Sequence, residues 1–265
     1  MSVHCVEADS EWVAAFEGVA YLLSGLSAVS VAGWMKPTTL VGNSVLLNAW
    51  TQGDTSTQRN QVLFRGNGTE LQCYVYTGGS SGGNVGKTLS TGVWQHVGLT
   101  YDGSTLIGYL NGLPGGTTYS PSGVIATDNP GLALSGYSST YYDGLAEDRA
   151  IWNRALSADE MYSMYSARLR AGFFRDGLIQ WWPLDVPGDG VYNAFVNGNY
   201  GGRDLAGAYP AFLGTAPDWS TDSPGLHWPS PVQATPYVAP AGGVIPYPYP
   251  RGLRAGYGEL VGGMH

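Results

Sequence analysis

Charge is scarce in this chain. Asp, Glu, Lys and Arg together make up 12% of its 265 residues, the formal net charge is -8, and Lys36 and Lys87 are the only lysines. So few cations of either kind give nucleic acid or an anionic membrane surface little to bind, so neither is expected as a partner. Cysteine is also nearly missing. Cys5 and Cys73 are too few to build a metal cluster, and spacing alone leaves open whether they pair or remain two buried thiols. No long apolar run occurs, because the stretch 13–35 is broken by Glu17, Gly18, Ser24, Gly25, Ser27 and Ser30, which argues against a membrane span. The first residues, Met1-Ser2-Val3-His4-Cys5-Val6-Glu7, have no basic region followed by an apolar core, so no secretory signal is expected. His4, His96, His227 and His265 are scattered, and no Ser-His-Asp grouping can be built from them.

What is present in quantity is glycine, proline and aromatic side chains. Forty glycines and sixteen prolines suit short strands joined by many turns, and a chain of this length is long enough for one large sandwich. Residues 94–112 carry the clearest local signal. Val97, Leu99 and Tyr101 alternate with His96, Gly98 and Thr100, the period of a strand with one buried face. Asp102-Gly103 and Asn111-Gly112 tolerate positive φ and so permit tight reversals on either side of the strand 105–110. Similar alternation predicts strands over 29–37, 46–50, 61–65, 70–76 and 131–135, with long loops over 77–92 and 112–131. At Ser157 the period changes. Ser157 and Glu160 form a capping box, Met161, Met164, Tyr165 and Leu169 share a face, and Arg168 and Arg170 precede Gly172, so a helix is predicted over 157–171.

These segments, Trp94-Gln95-His96-Val97 through Tyr101-Asp102-Gly103, the later Asp143-Gly144 with Asn153-Arg154-Ala155-Leu156-Ser157, and Val29 to Pro37, together resemble the laminin-G-like branch of the concanavalin A-like jelly rolls. The resemblance implies an all-β jelly-roll sandwich with one short α-helix. It suggests a sandwich over 1–172, trailing strands over 173–226 packed on it, and an extended Pro-rich arm over 227–265. Gly177-Leu178-Ile179-Gln180-Trp181-Trp182-Pro183-Leu184-Asp185 also resembles a segment that precedes the sandwich in many such chains. Chains with this segment in trailing position are similar to proteins of tailed-bacteriophage virions. That likeness implies a non-enzymatic capsid decoration or cement protein on the virion exterior, assembled in the host cytoplasm. Its partners would be the major capsid protein or other virion subunits, and copies of itself. The arm residues Val244, Ile245, Pro246, Tyr247, Tyr249, Arg251 and Leu253 would dock on those partners, since proline there prevents a central strand and favours an extended form.

The alternative is a carbohydrate-binding, lectin-like adhesion module. Trp50, Tyr74, Tyr76 and Tyr141 are the rings proposed to stack on a surface glycan. Calcium is the one cofactor that the resemblance brings in, with Asp102, Asp143, Glu147 and Asp148 as oxygen donors. The family's usual Ile-Asp-Glu stands here as Ala146-Glu147-Asp148, so no metal residue is assigned. Glu7, Asp9 and Glu11 alternate as the carboxylates of jelly-roll glycoside hydrolases do. The positions between them hold Ala8 and Ser10 rather than the apolar pair that buries the opposite face, and no catalytic residue is assigned.

Overall fold

A computed structural model of the chain describes residues 2–5, 13–15, 23–40, 43–51, 60–78, 80–126, 130–135, 142–184, 195–196, 210–212 and 218–226. By internal contacts the chain divides into a unit at 1–229 and a second at 230–265. The Glu7, Asp9, Glu11 triplet and the arm residues 244–253 lie outside the described residues.

Among the described residues sixteen strands and one α-helix are ordered as β1 (Ser2–Cys5), β2 (Val13–Ala15), β3 (Val29–Pro37), β4 (Asn43–Thr51), β5 (Asn60–Asn67), β6 (Glu70–Tyr76), β7 (Ser80–Thr88), β8 (Gln95–Tyr101), β9 (Leu106–Leu110), β10 (Leu113–Tyr119), β11 (Pro130–Ser135), β12 (Gly144–Trp152), α1 (Ala158–Ser166), β13 (Leu178–Trp182), β14 (Phe195–Val196), β15 (Pro210–Phe212) and β16 (Asp218–Ser220). They form two antiparallel sheets. One runs β10-β9-β8-β3-β12-β1-β16, with β13 on β12 and β14 on β13, and the other runs β15-β2-β11-β4-β5-β6-β7. This is the all-β sandwich with one short helix that the family resemblance implies. Among the described residues no helix is long and apolar enough to cross a membrane.

The period-two pattern explains the layering. On β3, Val29, Val31 and Met35 enter the core between the sheets, where they meet Val97, Leu99 and Tyr101 of β8 and Val62, Phe64, Leu71, Cys73 and Val75 of β5 and β6. Ala32 faces the other way, into a second cluster with Ala150, Trp152, Met161, Met164 and Trp181, which seats α1 on the back of the larger sheet. Gly98 allows that seat, since a Cβ there would stand 2.8 Å from the Met161 sulfur. Cys73 is a free, buried thiol whose pKa burial pushes up to about 12.

Three expectations need correction. Residues 77–92, expected as a loop, contain β7, and 112–131 contain β10. Glycine favours turns, but the glycines here permit close packing. A Cβ on Gly82 (φ 146°) would lie 2.1 Å from the Cys73 carbonyl oxygen, and one on Gly115 would lie 2.0 Å from that of Val85. The helix has the expected capping box, with Ser157 accepting from the Glu160 amide and Glu160 from the Ser157 amide, but it stops at Ser166 rather than 171. Arg168 then adopts a left-handed φ of 49°, which turns Arg168 and Arg170 off the helix and over the sheet.

Candidate functional site

The outward side of β6 carries Gln72, Tyr74 and Tyr76, because Leu71, Cys73 and Val75 take the inward positions. In register, Arg65 of β5 stands opposite Gln72, Leu63 opposite Tyr74, and Gly82 of β7 opposite Tyr74 on the other side. The Gln72 side-chain Oε1 accepts from Arg65 Nε at 3.0 Å and from the Tyr74 hydroxyl at 3.2 Å. The Arg65 guanidinium lies 5.3 Å from the centre of the Tyr74 ring. Gln72 is buried while Arg65, Tyr74 and Tyr76 are half-buried. An anchored ring, a cation with free donors and a flanking glycine without a side chain thus form a shallow polar-aromatic strip. Of the rings expected to bind a glycan, Tyr74 and Tyr76 share this face. Trp50 lies on β4 of the same sheet, opposite Asn60 of β5, and Tyr141 is outside the described residues.

The back of the larger sheet holds a second polar set, of which Glu147 and Asp148 are expected from the sequence only as calcium donors. β12 pairs with β1 through residues 144–146 and with β13 through 149–152, and a bulge with Asp148 at φ 57° marks the change of neighbour. Asp148 accepts from Trp181 Nε1 and from the Ala171 amide, each at 2.7 Å. Glu147 lies in register with Trp34, which in turn lies in register with His96. Trp34 meets His96 edge-on at 5.3 Å and stacks with Tyr165, while the Arg168 guanidinium sits 5.6 Å over its ring. Glu147 is wholly buried and 3.5 Å from the Arg170 guanidinium. Burial pushes its pKa up to about 7, against the pull of the Ser223 hydroxyl and Arg170. Burial, with the Arg149 cation, drives His96 down to about 3, so it is a neutral core histidine.

Next to this row a cleft of about 430 Å³ opens among Lys36, Pro37, Thr38, Thr91, Gly92, Leu145 and Ser220. The segment after β16 is fastened to Lys36, one of its lining residues. Asp222 forms an ion pair with Lys36 and accepts from Trp94 Nε1 at 2.8 Å, bonds that hold its carboxyl below the usual range. Arg168 ties the same segment down by donating to the Pro224 carbonyl.

The calcium donors do not converge. Asp102 accepts from the Ser104 and Thr105 amides of its own turn, at 2.9 and 2.7 Å, while Glu147 and Asp148 face Arg170. No group of three acidic, His or Cys residues fit for a metal occurs among the described residues. The donor set expected for calcium therefore does not fit that ion.

Comparison with known proteins agrees with this architecture. Among curated proteins no sequence matches the chain. A protein described as carbohydrate binding from Bacteroides ovatus is 17% identical with a TM-score of 0.55, over 73% of this chain and 55% of that one. The chain thus spans little more than half the length of that protein. The IT-sialidase CBM40 of Ruminococcus gnavus bound to α2,3-sialyllactose is 13% identical, with a TM-score of 0.50 over 62% of this chain and 95% of that one. A heptameric pentraxin of Limulus polyphemus is 18% identical, with a TM-score of 0.49 over 74% and 94%. At these identities the likeness is one of fold. The family model that matches covers residues 14–161, more than half of the sequence, and so the chain belongs to the concanavalin A-like lectin/glucanases superfamily.

Proposed function

We propose that the protein is a non-catalytic carbohydrate-binding module whose outward β5–β7 face receives the saccharide. The observation that carries this reading is the Arg65–Gln72–Tyr74 arrangement. Gln72 holds the Tyr74 hydroxyl and the Arg65 guanidinium at 3.2 and 3.0 Å, so ring and cation are ordered before any ligand arrives, and less freedom is lost on binding. Tyr74 and Tyr76 offer apolar rings to the C–H face of a sugar, and Arg65 offers donors to its hydroxyls. Gly82 opposite Tyr74 leaves the neighbouring strand low enough for a chain to lie across it. The family and the carbohydrate-binding proteins among its structural neighbours support the same reading. The capsid-decoration reading depends on residues 244–253, outside the described residues, and draws no support from those neighbours.

A glycan array followed by calorimetry tests the proposal. Saccharide binding is expected, and Tyr74→Ala should weaken it by about 1 kcal/mol, roughly fivefold. Arg65→Ala should weaken it similarly. Binding unchanged in both variants would remove this face as the site.

A further inference from the structure

We infer that residues 221–226 are a strap that shuts the Glu147 carboxyl away from water and lifts when that carboxyl ionises. Glu147 belongs to β12 of the larger sheet, away from the β5–β7 face proposed for the saccharide.

The strap is fastened by side chains. Asp222 pairs with Lys36 and accepts from Trp94 Nε1 at 2.8 Å, and Arg168 donates to the Pro224 carbonyl. The amides of Asp222 and Gly225 donate to the hydroxyls of Ser220 and Ser223, at 3.1 and 3.2 Å, which bends the segment locally. Pro224 is buried, while Thr221 and Gly225 are exposed, so the segment rests its proline on the protein and keeps its other side in water. A stretch held by a few side chains opens more easily than a strand inside a ladder.

What it covers is an acid with incomplete partners. Glu147 is wholly buried and lies 3.5 Å from the Arg170 guanidinium through one oxygen, while the other, Oε2, has no hydrogen-bond partner. An unpaired buried oxygen is tolerable in a neutral acid and costly in an anion. Burial raises the Glu147 pKa to about 7 against the pull of the Ser223 hydroxyl, Arg170 and the positive amino terminus, and the Asp148 charge adds to the rise. Trp34, in register with Glu147 on β3, brings no charge, and His96 beyond it stays neutral down to about pH 3.

The direction of the response follows from linkage. Under the strap the carboxyl holds its proton up to about pH 7, whereas in water it would do so only to its ordinary 4.5. Between these values the closed form binds the extra proton, so rising pH favours the open form, by at most about tenfold per pH unit or about a hundredfold from pH 5 to 7. Asp222 is held below the usual carboxylate range and stays ionised throughout, so the fastenings themselves do not titrate in this window.

The test is hydrogen exchange by NMR on the full chain from pH 5 to 8, read at the Trp94 indole N–H, which the strap holds through Asp222. The signal is assigned with Trp94→Phe and corrected for the intrinsic rise of exchange with pH, and the Val97 and Leu99 amides serve as core controls. Protection of the indole should fall by up to about a hundredfold between pH 5 and 7 while the controls hold theirs. Glu147→Gln, which cannot ionise, should make the profile flat. Asp222→Asn, which removes the ion pair with Lys36 and leaves Glu147 in place, should draw the midpoint of the Glu147 side-chain carboxyl ¹³C resonance from about 7 toward 4.5. Three results would each overturn the inference: indole protection that does not vary with pH, a pH response that survives Glu147→Gln and so belongs to the amino terminus, or a Glu147 midpoint unmoved by Asp222→Asn.

Discussion

Glu147 and His96 sit in one row across three strands, each beside Trp34, and they titrate in opposite senses. Glu147 ionises near pH 4.5 when exposed and near 7 when buried here. Between these values the folded chain keeps a proton that the unfolded chain has lost, so this group makes folding less favourable as pH rises through that window. His96 falls from 6.5 to about 3, so the unfolded chain binds the extra proton and stability rises with pH across that span. The two effects oppose each other between about pH 4.5 and 6.5. Glu147→Gln removes one of them. Its melting temperature relative to the parent protein should therefore climb from about pH 4.5 to 7 and level off above, with Arg170 and Asp148 among the charges facing the site. A difference that does not vary with pH, measured by thermal melts in matched buffers, would contradict the assignment of Glu147 as the titrating group.

At the scale of elements, α1 depends on its first turn. Ser157 and Glu160 cap it reciprocally, and Arg154 bonds Glu160 through both terminal nitrogens, at 2.9 and 2.5 Å. The Arg154 bonds, then the Ser157 amide, hold the Glu160 carboxyl down near 2. Its contribution is full above the ordinary pKa of about 4.5 and fades as pH falls toward 2. Ser157→Ala should cost about 1 kcal/mol in urea unfolding at neutral pH, while a cost below a few tenths would mean that packing of Met161 and Met164 alone holds the helix. Both cap residues were readable from their spacing. The early stop at Ser166 was not, because its cause lies in other elements: Arg170 reaches buried acids on β12 and Arg168 covers Trp34. The hairpin 94–112 was equally readable, and Asn111 (φ 52°) and Gly112 (φ 73°) both adopt the left-handed form their dipeptide suggested. β7 and β10 were missed because glycine signals a turn when it is free and a close approach when it is packed, and only the neighbouring strand decides between the two.

At the scale of the whole molecule, β1 lies between β12 and β16. Residues 2–4 and 218–220, far apart in sequence, therefore pair at one edge, and side-chain bonds from Lys36, Trp94 and Arg168 fasten the segment that follows. Asp222→Ala should loosen that edge without unfolding the core. In hydrogen exchange the amides of Trp219 and Ser220 should lose protection while those of Val97 and Leu99 keep theirs. Equal loss at both would mean that the edge and the core open as one unit.

From sequence alone came whatever depends on residues a few positions apart: strand alternation, the Asn-Gly turn, the capping box, and the motifs whose family resemblance implies the sandwich class. Tertiary structure decided the functional surfaces. Tyr74 faces outward because of its place on β6 relative to the core, and side-chain bonds join Lys36 to Asp222 across 186 positions and Trp94 to Asp222 across 128. Local periodicity tells which way a side chain points from its own strand. It carries no information about which distant strand will stand beside it, and that pairing is what brings a cation, a carboxylate and an indole together.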